Sequence, residues 1–122
     1  MRLLVPGLLL LSCATPGAGL APIHLTLSPE PVEQPLLKPP KTAGLRSGRV
    51  VLAPHADMHR HSTKSNEEVL VMLQGTVRVV LGAEPMTLSA GEVLYIPPMV
   101  EHEVHNDTDA EARYLYLVAP AR

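Results

Sequence analysis

His59 and His61 stand two residues apart, Glu68 follows in the same stretch, and His102 lies far along the chain. Imidazole nitrogen and carboxylate oxygen are the donor types that hold Zn, Fe, Mn or Ni. Side chains at i and i+2 of a strand share a face. His59 and His61 are therefore expected to point into one interior, with Arg60 outward. Glu68 would join them from the next strand and His102 from across a barrel. The expectation is one divalent metal per chain, with room beside it for water or a small organic molecule. The competing reading makes these the surface residues of a His-rich turn. Glu67 is the rival carboxylate, and Glu68 is preferred because it heads an apolar strand. His105 is out of phase with His102 and is expected to face away. His55 is a weaker candidate for the barrel mouth, and Asn106 for a local turn. Tyr114 and Tyr116 share a face, as cavity lining or as packing. Arg78 is expected to face outward, because Val77 and Val79 take the inward positions.

These residues need strands to position them. Short runs rich in β-branched residues are expected at 49–53, 58–61, 68–73, 76–81, 86–88, 92–96, 100–106 and 113–119. Gln74-Gly75 supplies a tight turn, Gly82 and Pro85 break the next connection, and Pro97-Pro98 end the strand before His102. No convincing helical period appears beyond the first residues. The fold class is all-β, with short strands arranged as a small jelly-roll-like barrel.

Composition limits the function. The chain has 122 residues and a formal charge of −2, enough for one domain. It has no Trp or Phe, so Leu, Val, Ile, Met and Ala must build the core. So small a core makes a homodimer a reasonable expectation. Lys38, Lys41, Arg46 and Arg49 cluster ahead of or at the start of the barrel, whereas acidic residues gather in its second half. No basic stripe interleaves with aromatics, so nucleic acid is not an expected partner.

Residues 1–20 read as a signal peptide: Arg2, a short apolar run, then small residues. The run is too short to span a bilayer. Cys13, the single cysteine, follows Leu10-Leu11-Ser12, which resembles a bacterial lipobox. Lipidated Cys13 would anchor the chain to a membrane on its periplasmic face. Ordinary cleavage after Gly19 or Ala21 would instead give a periplasmic or secreted protein. Residues 21–44 read as a Pro-rich linker, with 23–27 as a weak edge-strand candidate. The barrel is expected over 45–120.

The motifs also carry a family resemblance. The chain resembles a small single-domain cupin of the conserved-barrel type over roughly 45–120. The first cupin motif is matched by His59, His61, Glu68 and Gly75, and the second by Gly91, Pro97, His102 and Asn106. The resemblance implies a cupin barrel with His59, His61, Glu68 and His102 as metal ligands. The spacing of Glu68 to Gly75 also supports Glu68 over Glu67. Three positions depart from the pattern. The gap from His61 to Glu68 is long, so that loop is expected to overhang the cavity. Met99 replaces a Gly that normally takes positive φ, so the loop before His102 is expected to change shape. Ala53 stands where a Gly usually precedes the first His pair.

Three classes of function follow. A metal-dependent enzyme would act on a small organic substrate, as a dioxygenase, isomerase or decarboxylase in the resembling family. A non-catalytic extracytoplasmic module would bind or sense a small ligand or metal. A structural barrel would leave the site unused.

Overall fold

Alternating runs such as Val69–Met72 and Val77–Val80 bury every second side chain, the pattern of strands with one face on a core. A computed structural model describes residues 19–122 of the chain. Most of the signal-like segment, with Cys13, lies outside those residues. Among the described residues there is no helix, and nine strands form. They are β1 (Gln34–Leu37), β2 (Arg46–Leu52), β3 (Asp57–His61), β4 (Asn66–Gln74), β5 (Thr76–Leu81), β6 (Glu84–Ser89), β7 (Val93–Ile96), β8 (His102–His105) and β9 (Ala112–Pro120). Two antiparallel sheets face each other, in the orders β1-β2-β9-β4-β7 and β3-β8-β5-β6.

All eight expected strands are present, and β1 is an addition from the Pro-rich segment. Proline is tolerated there because β1 is an edge strand with a register shift next to Pro35. Residues 23–27 form no strand. Buried Arg49 ties the preceding segment down. Its guanidinium donates to the carbonyls of Ser28, Glu30 and Val32 at 2.6–2.9 Å.

The turn at Gly75 does not close a hairpin. β4 pairs with β7 and β9, whereas β5 pairs with β6 and β8, so Gly75 is the corner between the sheets. Its φ is +76°, and a Cβ there would sit 2.8 Å from the Glu111 carbonyl oxygen. Only glycine meets both demands without strain.

The interior has two ends. At the closed end Leu52, Met72, Val77, Leu88, Leu94 and Ala112 pack without exposure to speak of. Asn106, 0% exposed, ties that end together. Its amide donates to the carbonyls of Leu52, Ala53 and Ala110, and its Oδ1 accepts from the backbone and hydroxyl of Thr108. The bonds to Thr108 and Ala110 hold its local turn, as expected, and those to Leu52 and Ala53 tie that turn to the end of β2 as well. At the other end the interior opens into a cavity of about 250 Å³.

Candidate metal centre

Three side chains converge on the open end. His61 ends β3, Glu68 lies near the start of β4, and His102 begins β8. One ligand-type atom from each lies within 4.8 Å of the others. His61 and His102 meet edge to face, with ring centroids 4.3 Å apart. Glu68 and His102 are buried, at 5% and 1% exposure, and His61 stands at the mouth.

The hydrogen bonds prepare both rings as ligands. His61 Nδ1 donates to the His59 carbonyl at 2.7 Å, and His102 Nδ1 donates to the Val100 carbonyl at 3.1 Å. A carbonyl only accepts, so each ring carries its proton on Nδ1 and turns Nε2 to the cavity. His102 Nε2 and Glu68 Oε2 approach to 3.1 Å, an ion pair when the ring is protonated; with the ring neutral, two lone pairs face each other and neither atom has a hydrogen-bond partner. Buried polar atoms without partners are rare because each costs about 1–3 kcal/mol. Two such atoms 3.1 Å apart, with a ligand-type atom of His61 within 4.8 Å of both, form a donor cluster that a cation would satisfy. The donor set therefore fits a divalent metal: two imidazoles and a carboxylate, with the remaining positions open.

Without an ion, burial works against a charge on His102, but Glu68 and the Val100 carbonyl outweigh it and raise its pKa. Burial, with the Glu68 charge nearby, also pushes the Tyr114 phenol well up, so it stays a protonated donor. Tyr114 and Tyr116 both line the cavity, with Met58, Thr63 and Leu70.

The comparisons with known proteins agree with this geometry. The cupin-domain family profile matches residues 48–118, more than half of the chain. The chain belongs to the cupin family. This cupin is 33% identical to Protein SchB of Streptomyces halstedii over 84 residues, covering 66% of the chain and 61% of that protein. It is 32% identical to the polyketide synthase CurC of Streptomyces cyaneus, covering 66% of the chain and 54% of that protein. The match thus spans less than two thirds of either relative. A crystal structure of a cupin protein from Bacteroides fragilis superposes with a TM-score of 0.73 at 22% identity, over 81% of this chain and 84% of that one.

Of the four ligands that the cupin resemblance implies, the fold brings three together. His59 stays exposed and outside the group. The cause is an irregularity in β3. Met58 pairs with Val104 and His61 with His102, so His59 and Arg60 together face the single residue Glu103. The extra residue breaks the i, i+2 relation and puts Met58 and His61 on the inner face. Arg60 does face outward, as expected, and pairs with Glu101 and Glu103 at 2.8–2.9 Å.

Met99 corrects a second expectation. It takes φ +66°, the conformation a glycine would supply, so the loop keeps its turn despite the side chain. Met99 is 72% exposed, and its N–H donates to the Lys64 carbonyl at 2.7 Å. That bond pins the long loop between β3 and β4 beside the site, where Thr63 lines the cavity.

The remaining candidates sort by strand phase. Glu67 faces outward and accepts from Tyr95 at 2.9 Å, leaving the interior to Glu68. His105 faces outward between Asp57 and Glu103, at 2.8 Å from each. Arg78 pairs with Asp107 on the outer face. His55 is exposed beside Asp109, away from the cavity.

Proposed function

We propose that this cupin is a metal-dependent enzyme that acts on a small organic ligand at His61, Glu68 and His102. The observation that carries the reading is the pair of orphaned buried atoms, Glu68 Oε2 and His102 Nε2, facing an open cavity beside His61. A closed structural site uses all four tetrahedral positions on protein, whereas three protein donors leave places for a ligand. Two histidines and one carboxylate are also the donor set of open redox-metal sites, which favours Fe, Mn or Ni alongside Zn. When bound, the ion would supply Lewis-acid polarisation of a chelated ligand oxygen.

The chain's own residues do the rest. Glu68 contributes the single negative charge of the donor set. The Val100 and His59 carbonyls hold the two rings in orientation. Tyr114 keeps its proton and is placed to donate to a ligand oxygen. Val50, Leu70 and Val104 make the walls apolar, which strengthens every polar contact made inside.

The test is turnover. Metal-loaded protein, incubated with a panel of small 2-oxo and 2-hydroxy acids and followed by mass spectrometry, should convert at least one of them. His102→Ala should convert none. Recovery of every bound acid unchanged would favour a binding or sensing module instead.

A further inference from the structure

Beside the cavity lies a second hollow of about 310 Å³, at the mouth of the barrel. Thr63, Tyr116 and Val118 line both spaces, so the two share a wall and open side by side. The second hollow is lined by two cations, Lys38 and Arg46. Both are exposed, and among the described residues neither joins an ion pair. Every guanidinium on β3, β5 and β9, by contrast, has a carboxylate partner.

The sheet register relates Arg46 to the metal centre. Arg46 pairs with Val118 across β2 and β9, and Val118 pairs with Glu68 across β9 and β4. Directly opposed residues share a face, so Arg46, Val118 and Glu68 form one row on the inner side of the sheet. Neighbouring strands are about 4.8 Å apart, which sets the Arg46 and Glu68 backbones roughly 10 Å apart. In the next row Gly48 opposes Tyr116, and a Cβ on Gly48 would sit 2.6 Å from the Tyr116 hydroxyl. The bare glycine lets the Tyr116 ring lie against β2, in the wall between the two spaces.

We infer that Lys38 and Arg46 form an anion subsite that holds a distal carboxylate of the ligand, while its other end reaches His61, Glu68 and His102. The inference rests on the ligand-binding reading of that centre. A guanidinium meets a carboxylate through two parallel N–H donors, and a nearby ammonium adds charge without fixing direction. The row geometry suits a short, flexible dicarboxylate with a chelating group at one end. An uncharged ligand of the same length would leave both cations hydrated and gain nothing from them.

The matched probes are 2-oxoadipate and 2-oxohexanoate, which differ only in the distal carboxylate. Wild-type protein loaded with Mn(II) should bind 2-oxoadipate about fivefold more tightly than 2-oxohexanoate, the upper range for an ion pair between exposed groups. Arg46→Gln should abolish that preference while leaving metal content and 2-oxohexanoate binding unchanged. Lys38→Gln should reduce it, and Arg46→Lys should restore part of it. Equal binding of the two acids by wild type, or a preference that survives Arg46→Gln, would overturn the subsite. If the wild type takes up no metal, the metal-centre reading fails separately. The subsite is then judged on metal-free protein with glutarate: weaker binding by Arg46→Gln supports it, and unchanged or absent binding overturns it.

Discussion

The two ends of this barrel treat buried polar groups in opposite ways. At the closed end Asn106 is fully buried, and both its amide nitrogen and its oxygen are bonded. At the open end Glu68 and His102 are almost as buried, yet each leaves an atom without a partner. A satisfied buried amide specifies a fold. A buried pair that is unsatisfied when the ring is neutral costs stability at alkaline pH and persists where something else is to be bound. The contrast separates architecture from function within one small interior.

The sharpest way to break that contrast is Asn106→Ala. It removes the amide bonds to Leu52, Ala53 and Ala110, takes the acceptor from the Thr108 N–H and empties a fully buried site, and should cost on the order of 3–5 kcal/mol in chemical denaturation. A loss below about 1 kcal/mol would show that the closed end does not depend on this residue.

Glu68→Gln should behave in the opposite way. At alkaline pH the metal-free protein should change in stability by no more than about 1 kcal/mol, while metal uptake is lost. A large destabilisation with metal retained would make Glu68 architectural. The pH dependence sharpens the same point. A histidine whose pKa is raised on folding stabilises the fold fully below its unfolded value, ordinarily 6.5, and that contribution fades as pH rises through the folded value. Thermal melts of metal-free protein from pH 5 to 9 should show this loss in wild type and a flatter profile in Glu68→Gln. Identical profiles would remove Glu68 as the cause.

Met99→Gly is expected to have the smallest effect. Positive φ strains a methionine by about 1–2 kcal/mol, partly offset by the greater freedom of glycine in the unfolded chain. The net change should be a gain of at most about 1 kcal/mol, read from the denaturation midpoint, with metal binding kept. A destabilised Met99→Gly protein would mean that the exposed side chain makes a stabilising contact.

Most of this architecture was legible from residue patterns, because alternation and turn residues act locally. The eight strands, the place of Glu68 at the head of an apolar strand, the shared face of Tyr114 and Tyr116 and the opposite faces of His102 and His105 follow from local pattern. What escaped depends on partners distant in sequence. Pro35 argued against pairing, yet an edge strand next to a register shift accommodates it. The phase of His59 was lost to the irregularity in β3, which only the pairing with β8 defines. The turn at Met99 was misjudged because residue type states a preference for φ, whereas the hydrogen bond to Lys64 belongs to the folded loop. Lys38 and Arg46 stood out as charge, but their place beside the cavity needed the register of three strands.

The central claim is that His61, Glu68 and His102 form one metal site, and metal stoichiometry tests it most directly. Elemental analysis after equilibrium loading with Mn(II) or Zn(II) and gel filtration should give one ion per wild-type chain. It should give none for His61→Ala or His102→Ala, an ion retained by His105→Ala, and a smaller loss for His59→Ala than for either. A wild-type chain without metal, or equal losses in His61→Ala and His105→Ala, would contradict the account.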